Sequence, residues 1–185
     1  YKRTSPPIPA EPSLISPLNN STAQPLSLNL VWSKPLYASK YRIMAATDSL
    51  FSNIILNDSL LTDSVKSLNN LNNLTVYYWK VCAGNNTGWS SFSNIWSFIT
   101  APPVPAAPVL VSPPNNAINQ QPNVLLRWGP VQYAAGYRVQ VASDSSFNTI
   151  VHDTSIASSD SLRIRYGILT LNTRYFWRVN AVNVS

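Results

Sequence analysis

Side chains able to do chemistry are few in this chain of 185 residues, and they lie apart. His152 is the only histidine. No recognised motif places a carboxylate to orient it, so it reads as a surface residue at a strand end and not as a general base. Cys82 is the only cysteine, which excludes an internal disulfide and a cysteine-built zinc cluster. Asp48, Asp58 and Asp63 carry oxygens suited to calcium, but their spacing is not that of an EF-hand loop. A Gly-rich phosphate loop and a nucleophile elbow are both missing, and five glycines leave little room for either. The expectation is a non-enzyme with no cofactor and no metal. One motif with chemical content does recur. Four of the six aspartates are followed by Ser and then Leu or Val: Asp48-Ser49-Leu50, Asp58-Ser59-Leu60, Asp63-Ser64-Val65 and Asp160-Ser161-Leu162.

The elements that would position these groups are written twice. Pro12-Ser13-Leu14-Ile15-Ser16-Pro17 returns 96 positions later as Pro108-Val109-Leu110-Val111-Ser112-Pro113. At the same offset Trp32 matches Trp128, Tyr41-Arg42 matches Tyr137-Arg138, and Asp48-Ser49-x-Phe51 matches Asp144-Ser145-x-Phe147. Tyr77-Tyr78-Trp79-Lys80-Val81 answers Tyr175-Phe176-Trp177-Arg178-Val179 at an offset of 98. A period of this length is a whole domain, well above a solenoid unit.

Within each copy the apolar residues alternate. Leu26, Leu28, Leu30 and Trp32 interleave with Ser27, Asn29 and Val31; Tyr77, Trp79, Val81 and Ala83 interleave with Tyr78, Lys80 and Cys82. That period of two predicts half-buried strands, with Lys80 and Cys82 on the outward face. Helical spacing is absent. Short strands joined by Asn-, Ser- and Pro-rich turns predict an all-β antiparallel sandwich. Charged residues make up only 11% of the chain, as in extracellular β modules. The formal charge of +6 is scattered, with no basic run or interleaved aromatic motif for nucleic acid. No apolar run is long enough to span a membrane.

The tryptophan on an early strand, the Tyr-x-Ile/Val strand after it and the Tyr-x-Trp-x-Val-x-Ala strand together resemble the fibronectin type III fold, over nearly the whole chain. The Tyr-Trp-Lys/Arg-Val variant is similar to repeats of large bacterial cell-surface and secreted proteins. The resemblance implies two tandem immunoglobulin-like sandwiches. Tyr77 and Tyr175 would be tyrosine-corner residues, and Trp32, Trp79, Trp128 and Trp177 core residues. Trp89-Ser90-Ser91-Phe92-Ser93 resembles the WSxWS box of cytokine-receptor type III domains, which implies an aromatic–cation clamp of Lys80, Trp89 and Phe92. The Asp-Ser-apolar motif resembles the acceptor signal of a secretory O-glycosylation system of one group of Gram-negative bacteria, making Ser49, Ser59, Ser64 and Ser161 candidate glycosylation sites. Asp-Ser turns leading into strands account for the same pattern without any sugar. N-x-Ser/Thr sequons, including those at Asn85 and Asn183, are expected by chance in so Asn- and Ser-rich a chain.

Proline runs set the boundaries. Residues 1–9 are expected to be the end of a preceding repeat plus a linker, with Tyr1-Lys2-Arg3-Thr4 as the tail of its last strand. Residues 10–100 form domain 1, 101–107 a second linker and 108–185 a domain 2 lacking its last strand. The reading that follows is a non-catalytic extracellular structural or adhesion module, a semi-rigid spacer or fibre segment of a surface or secreted protein. Its partners would be adjacent repeats, with surface glycans or an adhesion ligand as further candidates. Two alternatives stay open: the accessory region of a secreted polysaccharide-degrading enzyme, and a filament subunit assembled by donor-strand complementation.

Overall fold

A computed structural model of the protein describes residues 5–183, so the expectation for Tyr1-Lys2-Arg3-Thr4 lies outside the described residues. All of the regular structure among the described residues is β, and the chain divides into two units between Pro102 and Pro103, inside the second proline run.

The first unit is a sandwich. One sheet holds β1 (Leu14–Ser16), β3 (Leu28–Trp32) and β6 (Val65–Leu68), in the order β1-β3-β6. The other holds β2 (Ser21–Gln24), β4 (Lys40–Ala46), β5 (Ile54–Leu61), β7 (Val76–Gly84) and β8 (Trp96–Thr100), in the order β2-β8-β7-β4-β5. Alternation decides which face each side chain takes. Tyr41, Ile43 and Ala45 on β4 face Tyr77, Trp79, Val81 and Ala83 on β7 within one buried cluster that also contains Leu30, Trp32 and Phe98. Their neighbours Lys40, Arg42 and Met44 point to the other side of the sheet, opposite Gly84, Cys82 and Lys80. Cys82 is nonetheless buried, and burial pushes its thiol pKa up. Strand β8 closes the edge. It runs antiparallel to β7, with Tyr77 opposite Phe98 and Trp79 opposite Trp96, and parallel to β2.

The second unit repeats this plan with β9 (Leu110–Ser112), β10 (Leu125–Trp128) and β13 (Ser161–Arg163) in one sheet, and β11 (Gly136–Ala142), β12 (Ile150–Ala157) and β14 (Phe176–Val182) in the other. The repeat extends to backbone detail: Ser16–Pro17 and Ser112–Pro113 are both cis, and Tyr37 and Tyr133 share a positive φ of 66° and 65°. Two tandem β-sandwiches of one repeated plan are therefore the architecture. The second has no strand beyond β14 among the described residues. Its core is correspondingly less closed: Leu126, Trp128, Tyr137, Val139, Val141 and Ile164 are buried, while Tyr175, Trp177, Val179 and Ala181 are only partly so.

Candidate functional sites: a linker clamp and a cation–aromatic ladder

The recurrent Asp48 and Asp144 act on their own turns. The carboxylate of Asp48 accepts hydrogen bonds from the backbone N–H groups of Leu50 (3.0 Å), Ser52 (3.0 Å) and Asn53 (2.6 Å). Asp144 accepts the same set from Ser146, Asn148 and Thr149. Donation by backbone N–H lowers both carboxyl pKa values, led by Ser52 for Asp48 and by Thr149 for Asp144. The wrapped turn forces Phe51 and Phe147 to positive φ (58° and 57°), an uncommon state for a bulky residue. Each ring then lies under a cation: Lys80 Nζ stands 4.0 Å from the Phe51 centroid and the Arg178 guanidinium 4.1 Å from that of Phe147.

In the first unit the stack continues. Lys80 also stands 4.9 Å from the Phe92 ring, Arg42 lies 6.0 Å from that ring, and Lys40 lies 4.9 Å from Trp89. Of the trio Lys80, Trp89 and Phe92, the structure brings together Lys80 and Phe92. Trp89 is stacked by Lys40 instead, because Trp89 bridges to Gly84 at the end of β7, and Lys40 is the residue of β4 opposite Gly84. A Cβ on Gly84 would meet the Trp89 ring at 2.6 Å, so the missing side chain is what lets the indole lie on the strand. The serines of the box act as substitute strand. Ser90 and Ser93 donate their N–H groups to the carbonyls of Ala83 and Val81 (2.8 Å each). Their hydroxyls accept the N–H groups of the same two residues, at 3.0 and 3.1 Å.

A second constellation repeats in both units. Asn85, just past β7, is 4% exposed and its side chain is fully engaged. Its Nδ2 donates to the carbonyls of Pro7 (2.7 Å) and Tyr37 (3.2 Å), and its Oδ1 accepts the N–H groups of Thr87 (2.8 Å) and Gly88 (3.2 Å). Thr87 Oγ1 adds a bond to the Pro6 carbonyl (2.7 Å), and Ile8 packs at Gly88. The proline run before the first sandwich is thus bonded to the far end of β7, 78 residues away from Pro7. In the second unit Asn183 stands at the offset of 98, and its Nδ2 donates to the carbonyl of Pro103 (2.9 Å), the counterpart of Pro7. Sequence reasoning treats these two asparagines only as chance sequons. The available signal is that both sit at the end of the same repeated strand.

The tyrosines have their own partners: Tyr77 Oη accepts the N–H of Asn72 (2.9 Å), and Tyr175 Oη that of Thr170 (3.1 Å). Trp32, Trp79 and Trp128 are buried; Trp177 is half-buried, because no strand covers that edge of β14 among the described residues. Ser49 and Ser59 are exposed, whereas Ser64, in the bend just before β6, and Ser161, the first residue of β13, are half-buried. Asp58 accepts the N–H of Leu60 and pairs with Lys66, and Asp63 accepts the N–H of Ser64 and pairs with Lys34. The Asp-Ser motif therefore has a local backbone role at three of its four positions.

The groups singled out for possible chemistry do not converge among the described residues. His152 is half-buried within β12, not at its end. Its neighbour Asp153 is bound to Arg138 (2.6 Å) and Gln140 (2.8 Å), which hold its carboxyl down to about 2. A surface depression of about 320 Å³, lined by Asn123, Arg163, Ile164, Arg165 and Tyr166, contains no carboxylate, imidazole or thiol. Among the described residues no three of His, Cys, Asp and Glu converge on a common point.

No family model and no curated protein matches the chain. Solved structures do. A two-domain fibronectin type III segment of chicken tenascin is 15% identical, with 96% of this chain and 93% of that chain covered and a TM-score of 0.41. The first to third fibronectin domains of chicken CNTN1 are 17% identical over 94% of this chain and 63% of that one, with a TM-score of 0.46. A structure titled FN3tt mut is 26% identical over 51% of this chain and 99% of that chain, with a TM-score of 0.38.

Proposed function

We propose that this chain is a non-catalytic structural module of a repeat-built extracellular protein, serving as a semi-rigid spacer on a cell surface or in a secreted assembly. The observation that carries the reading is the repeated clamp: Asn85 on Pro7 and Asn183 on Pro103. A proline run is already stiff as a chain. Bonding it to the sandwich it precedes makes the run part of that module, which suits a spacer built from copies. The partners are the adjacent repeats of the same protein, and exposed Ser49 and Ser59 are the hydroxyls best placed to carry sugar.

The test is exposure of intact native cells and their medium to an added protease. Loss of the protein from the cell surface, or its recovery in the medium, supports the reading; survival of the whole population inside unbroken cells contradicts it. Peptide mapping of native material then decides the sugar. Mass additions on the peptides holding Ser49 or Ser59 are expected, and unmodified peptides at all four Asp-Ser sites would remove glycosylation from the account.

A further inference from the structure

In the first unit the segment entering β1 and the segment entering β8 border a depression of about 170 Å³, with Glu11, Ser13, Asn94 and Trp96 in its lining. Sites for drug-sized molecules take about 300–1,000 Å³. This one admits a single small ring. Its walls are fixed. Pro12 and Leu14 are buried, and the alternate residues Glu11 and Ser13 are exposed. The Ser13 N–H donates to Ser33 Oγ (2.8 Å), and the Ser13 carbonyl accepts the Ser33 N–H (2.9 Å). On the other wall Ser93 donates its N–H to the Val81 carbonyl (2.8 Å) and its hydroxyl to the Asn94 carbonyl (2.9 Å). Trp96 meets Trp79 with the two rings at 90° and is half-buried.

Three polar side chains of these walls are uncommitted. Among the described residues Ser13 and Asn94 bond only through their backbones, and the Glu11 carboxylate has no hydrogen-bond or ion-pair partner. Carboxylates elsewhere are used. Asp48, Asp58, Asp63, Asp144 and Asp153 each accept from a backbone N–H or a neighbouring side chain. The repeat also separates framework from lining. At the offset of 96 the buried Pro12 and Leu14 return as Pro108 and Leu110, whereas Glu11 and Ser13 become Ala107 and Val109. The sandwich plan therefore needs the buried pair and does not need the polar pair.

We infer that this depression is a binding site for a single neutral sugar ring, a pyranose. Such a ring has a face of C–H groups and a rim of hydroxyls. The C–H face suits the indole of Trp96, whose π system is negative. Each rim hydroxyl both donates and accepts, and the lining answers both needs: Glu11 accepts, the Asn94 amide donates and accepts, and Ser13 does either. An ammonium group would use Glu11 and the indole but leave the amide donors of Asn94 idle. Because the backbone of both walls is already held, little ordering remains to be done on binding. One ring on so few groups binds with about millimolar affinity. This goes beyond the spacer reading, and its failure would leave the linker clamp untouched.

The experiment titrates the whole ¹⁵N-labelled chain with the methyl glycosides of glucose, galactose, mannose and N-acetylglucosamine, each alone. With at least one of them, saturable shifts are expected at the Trp96 indole N–H and at the amides of Ser13, Leu14, Ser93 and Asn94. The midpoint should be about millimolar, and the amides of Ala107, Val109 and Leu110 should not move. The variant Glu11→Ala with Asn94→Ala should bind about tenfold more weakly, the size of one or two hydrogen bonds. Both residues are exposed, so the fold should survive, and unchanged resonances elsewhere check it. Tetramethylammonium chloride is the counter-probe. Four results would overturn the proposal: no saturable change with any of the sugars, equal binding by the double variant, equal shifts around Ala107, or tighter binding of tetramethylammonium, which would make this a cation site.

Discussion

Asn85 shows how one amide can tie down a distant segment. It is buried and makes four hydrogen bonds, two of them to carbonyls outside its own turn. Asn85→Ala leaves those groups short of partners in a site closed to water, at a cost of about 1–3 kcal/mol. The exposed neighbour gives the control: Asn86→Ala should stay within about 0.5 kcal/mol of the parent in urea unfolding. Equal effects of the two would mean that the amide contributes nothing particular. Asp153 predicts a pH dependence. Arg138 and Gln140 lower its carboxyl pKa to about 2, below the unfolded value of about 4. The contribution is present above pH 4 and is lost as pH falls through 2. The stability gap between the parent and Asp153→Asn should therefore close across that window in acid unfolding. A gap constant from pH 6 to pH 2 would contradict the pairing.

At the scale of elements, β4 and β7 are legible in the sequence because burial alternates along them with a period of two. Tyr77, Trp79 and Val81 cannot all be inside unless Tyr78, Lys80 and Cys82 face the other way. What that other face does is less legible. Lys40 and Arg42 look like ordinary solvent-facing charges, yet both join the stack over Trp89 and Phe92. The cause is register: only the pairing of Lys40 with Gly84 and of Gly84 with Trp89 places the amine over the indole. The clamp is illegible for a similar reason, since a hydrogen bond spanning 78 residues leaves no local pattern. Gly84→Ala tests the ladder. A methyl group at 2.6 Å from the ring must push Trp89 outward, which should cost about 1–3 kcal/mol and shift the indole emission towards that of solvent-exposed tryptophan. Unchanged emission and stability would show that Trp89 does not rest on Gly84.

Across the whole molecule the two copies differ chiefly at one edge. The first sandwich is closed by β8, and the second is open along β14 among the described residues. The repeat itself, the sandwich and the proline boundaries are readable from matched residues at offsets of 96 and 98. That the proline runs fold onto the modules they precede is not readable, because it depends on where the last turn of the sandwich brings Asn85 and Asn183. Backbone ¹⁵N relaxation tests that claim most directly. With the runs clamped, order parameters near 0.85, as in rigid backbone, are expected at Ile8 and Val104, with a fall at Ile8 alone in Asn85→Ala. Values below about 0.6 at both positions in the parent chain would show free linkers and contradict it.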